Sequence, residues 1–173
     1  PDSVREVAEV AAADAQNAPL KAVVNLVGGF AMGGRVHETP IEDFERQFRT
    51  NLRPTYLVCA ATIPHLVAAG GGSVVCLSSR AALHPFPGAA GYITSKAAVL
   101  ALVDALDAEY QGDNIRVNAV LPGVIDTIAN REAMPDSDRA DWVAPADIAR
   151  TIVFLAGDES STISGARIPV HRA

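Results

Sequence analysis

Basic residues are few. Lys and Arg number 14 against 20 Asp and Glu in 173 residues, a formal net charge of −6 at pH 7. They gather in no run. Nucleic acid and anionic membrane surfaces are both held by clustered Lys and Arg, so neither is an expected partner. No apolar stretch reaches the roughly 18 uninterrupted residues of a membrane span. The nearest, 56–69, is shorter and holds Pro64 and His65. The start shows no charged-then-apolar signal segment; it reads Pro1-Asp2-Ser3, without Met. Cysteine is also scarce: Cys59 and Cys76 each stand alone in an apolar run, outside any CxxC or metal-ligand spacing. Both read as small buried hydrophobes in a reducing compartment. The expectation is a cytoplasmic protein with no metal site.

Apolar material for one core is present. The chain is 49% hydrophobic, and a domain of this length buries roughly 70% of its unfolded surface. One domain over 1–173 is expected. Val4, Val7, Ala11 and Ala15 recur at helical spacing and predict a helix over 3–16, capped by Asp2 or Ser3. The apolar run 22–27 predicts a parallel strand buried on both faces. A helix follows Thr39 and runs to about Ala69, with Ile41, Phe44, Phe48 and Leu52 as its inner stripe and Pro54 and Pro64 as points of bending. Strands are expected at 73–78, 115–121 and 166–170, and helices at 90–110 and from Pro145 to Gly157. Strand and helix alternate throughout, which predicts an α/β fold of three layers around a parallel sheet of about four strands.

Sites in such sheets lie just beyond the carboxyl ends of the strands. Gly28-Gly29, Ser79 and Pro122-Gly123 occupy those places. The helix after the second strand carries Tyr92 and Lys96, four residues apart and so on one face. Taken singly, each feature has an ordinary structural explanation: a snorkelling Tyr–Lys pair, a serine ending a strand, a buried asparagine at position 51. Asn118 is read as a backbone-bonding residue of its strand. His37 and His84 lie in loops near the strand ends and are within possible reach of a substrate; His65 and His171 are read as structural.

In combination, these residues resemble the short-chain dehydrogenase/reductase family. Tyr92-Ile93-Thr94-Ser95-Lys96 matches its Tyr-x-x-x-Lys signature, and Ser79 stands thirteen positions before the tyrosine. Asn51 matches the asparagine of the preceding helix. Asn25 to Gly28 resembles an Asn-Asn-Ala-Gly turn, and Asn118 to Thr127 an Asn-x-x-x-Pro-Gly-x-x-x-Thr segment. The resemblance implies a Rossmann-like fold and an NAD- or NADP-dependent oxidoreductase that interconverts a secondary alcohol and a carbonyl. It implies Tyr92 as acid–base, Lys96 lowering its pKa and holding the nicotinamide ribose, Ser79 polarising the substrate oxygen and Asn51 supporting a proton relay. Asn25, Gly28, Pro122, Ile125 and Thr127, with Tyr92 and Lys96, would form the nicotinamide end of the cofactor site. The segment 128–143, with Met134 and Trp142, would be a short substrate lid. The resemblance further implies a homo-oligomer built through the helices around 41–69 and 90–110; alanines 97, 98, 101, 105 and 108 give the second a small-residue face.

The resemblance covers the C-terminal two-thirds or so of a family member. No G-x-x-x-G-x-G phosphate turn occurs in the sequence, nor the residue that selects NAD or NADP. The strand at 22–27 is therefore expected at a sheet edge, apolar on both faces and without the charges or bulges that protect edges. The alternative expectation is a truncated, catalytically inactive fragment, or an interaction module that offers this edge to a partner.

Overall fold

The computed structural model describes residues 2–172. Pro1 and Ala173, the ends of the expected 1–173 domain, lie outside the described residues. Helix α1 (Asp2–Ala11) leads to β1 (Ala22–Asn25), α2 (Ile41–Ala68), β2 (Gly72–Leu77), α3 (Ala90–Tyr110) and β3 (Ile115–Pro122). The short α4 (Ile128–Ala133), α5 (Pro145–Ala156) and β4 (Arg167–Val170) complete it. All pairings are parallel and the sheet order is β1-β2-β3-β4.

The strands sort their side chains with period two. Val74 and Cys76 of β2 and Val117, Ala119 and Leu121 of β3 face a core closed by α2 and α3. Val75 and Val120 face the opposite core, closed by Ile148, Ile152 and Leu155 of α5. The three layers of the Rossmann-like expectation are therefore present. β3, covered on both faces, is buried at seven of its eight positions. Asn118 in its middle donates to Ile163 O at 3.0 Å and accepts from Ala166 N at 2.9 Å, tying β4's approach to the sheet.

The element boundaries depart from the sequence reading in four places. Helix α1 includes Asp2 and Ser3, so neither is its cap, and it stops at Ala11 rather than 16. The Asp14 carboxylate takes the Asn17 backbone N–H (3.2 Å) and side-chain amide (3.1 Å), a local turn that competes with further helix. β1 ends at Asn25 because its pairing ends there, Asn25 opposite Cys76. Beyond it Leu26 and Val27 turn outward and are each 54% exposed. Helix α2 runs unbroken through Pro54 and Pro64, but its buried face is Gln47, Asn51, Thr55, Cys59, Ile63 and Leu66. The expected apolar stripe lies beside that face, with Ile41 exposed and Phe44, Phe48 and Leu52 half-buried. Polar side chains occupy the inner face of the first half of α2 because that half borders the strand ends and not the core. Finally, α4 lies in the segment 128–143, for which no helix is expected from the sequence; Thr127 caps it by accepting from Asn130 N at 3.2 Å.

As expected, β1 stands at the edge of the sheet, but it is not buried on both faces: Val23 is buried while Val24, on the other face, is 40% exposed because among the described residues no helix covers it fully. Among the described residues no helix is long and apolar enough to cross a membrane. No group of three or more His, Cys, Asp or Glu among them could hold a metal ion.

Candidate active site

Four residues from three elements meet at the carboxyl ends of β1 and β2. Ser79 stands two residues past the end of β2, in extended conformation, and caps the turn 80–82 by accepting from Ala81 N at 3.2 Å. That bond uses a lone pair of Oγ and leaves its O–H free to donate. Tyr92 and Lys96 lie one turn apart on α3, which is anchored behind them: Ser78 Oγ donates to Lys96 O at 2.8 Å. Asn51 is fully buried on α2. Its Nδ2 donates to Ser95 Oγ (3.0 Å), which in turn donates to Tyr92 O (2.8 Å). Its Oδ1 accepts from Gly29 N at 2.9 Å, so one asparagine joins α2, α3 and the loop after β1.

The electrostatics follow from burial. Desolvation pushes the Tyr92 phenol above its ordinary value of 10, and hydrogen bonding from Ser79 works the other way; the lowering expected from Lys96 is not found, because burial dominates. Lys96 is 4% exposed. Desolvation lowers its ammonium to about 8, opposed only by Cys76. Lys96 Nζ donates to Leu77 O at 3.1 Å. An ammonium has three donors, so this one bond leaves capacity for a ligand.

Gly28 makes the cradle at this point. A Cβ there would stand 2.8 Å from Asn51 Oδ1 and 2.9 Å from Lys96 Nζ. The backbone of Gly28 is not in the left-handed region, so the objection to a side chain is space alone. Gly28→Ala is expected to lower stability by about 1–2 kcal/mol, because the lysine tip can swing aside while Asn51 is held at both ends. The check is urea unfolding, in which the midpoint falls and the slope does not change.

The other expected residues divide. Asn25 reaches the cluster indirectly: Nδ2 donates to Thr55 Oγ1 at 2.9 Å, and Thr55 Oγ1 donates to Asn51 O at 2.8 Å. Pro122 ends β3 and is buried. Ile125 and Thr127 belong to a separate loop, closed where Ile125 bridges Val143 and Asn130 Nδ2 donates to Ile125 O at 2.8 Å. The segment 128–143 contains α4 and the buried Trp142, with the Arg139 guanidinium 5.6 Å from the ring centre. His37 and His84 are exposed. Sequence reasoning missed Phe30, which packs edge-on against Tyr92 with ring centres 4.9 Å apart at 87°. It also missed Gln47. Phe30 sits in a loop without periodicity, so no pattern marked it.

A Ser, a Tyr–Lys pair and a buried Asn thus stand together at the strand ends of a parallel α/β sheet. Comparison with known proteins gives the family. The family model described as enoyl-(acyl carrier protein) reductase matches residues 1–172. The chain is 34% identical over 178 residues to 2-(R)-hydroxypropyl-CoM dehydrogenase of Xanthobacter autotrophicus, covering 96% of this chain and 71% of that protein. It is 35% identical over 133 residues to 7alpha-hydroxysteroid dehydrogenase of Clostridium sardiniense, covering 72% and 51% respectively. A short-chain dehydrogenase/reductase structure from Mycobacterium ulcerans superposes with a TM-score of 0.89 at 26% identity, over 98% of this chain and 64% of that one. The NADP-bound structure of ElxO does so with a TM-score of 0.87 at 25% identity, over 98% and 72%. The chain belongs to the short-chain dehydrogenase/reductase family. It spans 71% of the first of these relatives and about half of the second, 51%.

Proposed function

We propose that this chain is the catalytic part of an NAD(P)-dependent oxidoreductase that interconverts a secondary alcohol and a carbonyl. The observation that carries this reading is the cluster of Ser79, Tyr92, Lys96 and Asn51, with Asn51 and Lys96 closed so tightly on Gly28 that no side chain fits there. The residues present fit the nicotinamide end of a dinucleotide: glycine at position 28 keeps a side chain away from the Lys96 tip, and Lys96, with one hydrogen bond of its own, has donors to offer a ligand. Lys96 would hold the ribose, Gly28 and Asn25 would shape the site, and Pro122, Ile125 and Thr127 would receive the carboxamide. When bound, the dinucleotide supplies or accepts the hydride.

The chain's own residues handle the proton. Tyr92, neutral at pH 7 as an ordinary phenol is and more firmly so for its burial, donates its phenolic proton to the substrate oxygen during reduction. The Ser79 hydroxyl donates a hydrogen bond to the same oxygen and stabilises its developing charge. Lys96, one turn away, favours the phenolate that remains. Asn51 holds the loop and α3 in register and supports the relay that returns a proton to Tyr92.

Supporting a homo-oligomer, α2 and α3 share an apolar groove of about 440 Å³ lined by Phe48, Leu52, Tyr56, Ala98 and Leu102. A second reading is favoured by one observation, the edge strand β1 with Val24 exposed and, just beyond its end, Leu26 and Val27 exposed: the chain would act as a module that adds a partner's strand.

Titration with NADH and NADPH separates the two readings. Micromolar binding of either, weakened by Gly28→Ala, supports the oxidoreductase. Absence of binding for both at millimolar concentration favours the module.

A further inference from the structure

Beside Tyr92 lies a cavity of about 340 Å³. Ala31, Met32 and Val36 of the loop after β1, Ile41 and Phe44 of α2, and Tyr92 itself form its apolar lining. Two of its loops are latched by backbone: Gly33 N donates to Gly88 O at 2.7 Å. Gly88 has a φ of 81°, and a Cβ there would meet Gly33 O at 2.8 Å, so the latch requires glycine.

The polar groups of the lining are accounted for with one exception. Asp43 and Arg46 pair with each other. Thr39 Oγ1 donates to Gly34 O and Arg35 O at 3.2 and 3.0 Å. Gln47 is different. It is 7% exposed, and its Oε1 is the one buried side-chain polar atom among the described residues without a hydrogen-bond partner. Leaving such an acceptor unpaired costs stability that an apolar residue of similar size would not lose. Buried unpaired groups of this kind are rare. Here it borders a cavity that contains the acid–base tyrosine.

We infer that this cavity receives the arm of the substrate that extends from the reacting carbon, and that Gln47 recognises a hydrogen-bond donor on that arm. The substrate class is an uncharged carbonyl compound or alcohol, apolar along its body, carrying a hydroxyl or amide N–H at a distance from the reacting centre. Charge is excluded because the only ionised side chains in the lining neutralise each other. The inference rests on the role proposed for Tyr92, which is one of the residues lining the cavity.

The experiment reads binding and needs no turnover. Matched ketones are titrated into the chain: para-hydroxy- and para-methylacetophenone, and para-hydroxy- and para-methylbenzylacetone. The side-chain amide of Gln47, assigned by its loss in Gln47→Met, is followed in a nitrogen–proton correlation spectrum. In at least one pair the hydroxyl compound is expected to bind roughly tenfold more tightly and to shift the Gln47 amide, and Gln47→Met is expected to abolish the preference. Gln47→Met removes an unpaired polar group and keeps the volume, so it is expected to fold at least as well. No preference in either pair, or a preference that survives in Gln47→Met, overturns the inference and leaves Gln47 with water alone. A chain that shows the preference but reduces no ketone would refute the proposed activity and leave the cavity's ligand class standing.

Discussion

Tyr92→Phe lowers kcat for carbonyl reduction by two orders of magnitude or more, the usual contribution of a positioned general acid. The substitution is a clean one in this structure. The ring and its edge-on contact with Phe30 remain, as does the backbone carbonyl that accepts from Ser95. Only the hydroxyl, and with it the Ser79 hydrogen bond, is lost. KM is therefore expected to change little, so kcat and kcat/KM fall together, the pattern of a group that acts in the transition state. The raised phenol pKa adds a check without substrate. In the ligand-free chain Tyr92 is expected to ionise above pH 10, read by ultraviolet titration as the component missing from Tyr92→Phe. Steady-state rates with a ketone and reduced dinucleotide give the main result; unchanged kcat in Tyr92→Phe removes the phenol from the mechanism.

Lys96→Met is expected to stabilise the ligand-free chain at pH 7. The Lys96 ammonium is buried and its pKa falls to about 8 from 10.5. Between those values the unfolded chain binds a proton that the folded chain does not, so the wild type gains stability as pH rises from 8 to 10.5. Below pH 8 both states are charged and the full penalty is present, about 3 kcal/mol. Loss of the bond to Leu77 O returns about 1 kcal/mol of this. The variant should thus unfold at higher urea concentration than the wild type at pH 7, lose the advantage across pH 8 to 10.5, and be the less stable protein above it. An advantage independent of pH would mean that Lys96 is not desolvated. The penalty fits the role proposed for Lys96: a buried cation with one hydrogen bond destabilises the fold, and a bound ligand would offset that cost.

Much of this was legible in the sequence, for identifiable reasons. The strands announced themselves because a parallel sheet covered on both faces is built from short continuous apolar runs. Tyr92 and Lys96 were legible because helical periodicity fixes their relation, and Ser79 because it follows a strand end. The failures have a common cause: periodicity reports apolar residues, and part of this fold is organised by polar ones. The inner face of α2 was misplaced because Gln47, Asn51 and Thr55 point inward while Phe48 and Leu52 line a groove. β1 was drawn two residues too long because Leu26 and Val27 are apolar yet have no partner beyond the Asn25–Cys76 pair. The end of α1 was set by an Asp14–Asn17 turn that an apolar count does not register. Gln47 was invisible for the same reason. A glutamine in a helix reads as surface, and only the packed structure leaves its oxygen buried without a partner.

The most direct test of the account is product analysis. The chain is mixed with a ketone panel and either NADH or NADPH, and the secondary alcohol is quantified for the wild type and Tyr92→Phe. The account predicts alcohol formed in step with dinucleotide oxidation, reduced a hundredfold or more by the loss of one hydroxyl. Alcohol formed at equal rates by both proteins, or by neither, would contradict it.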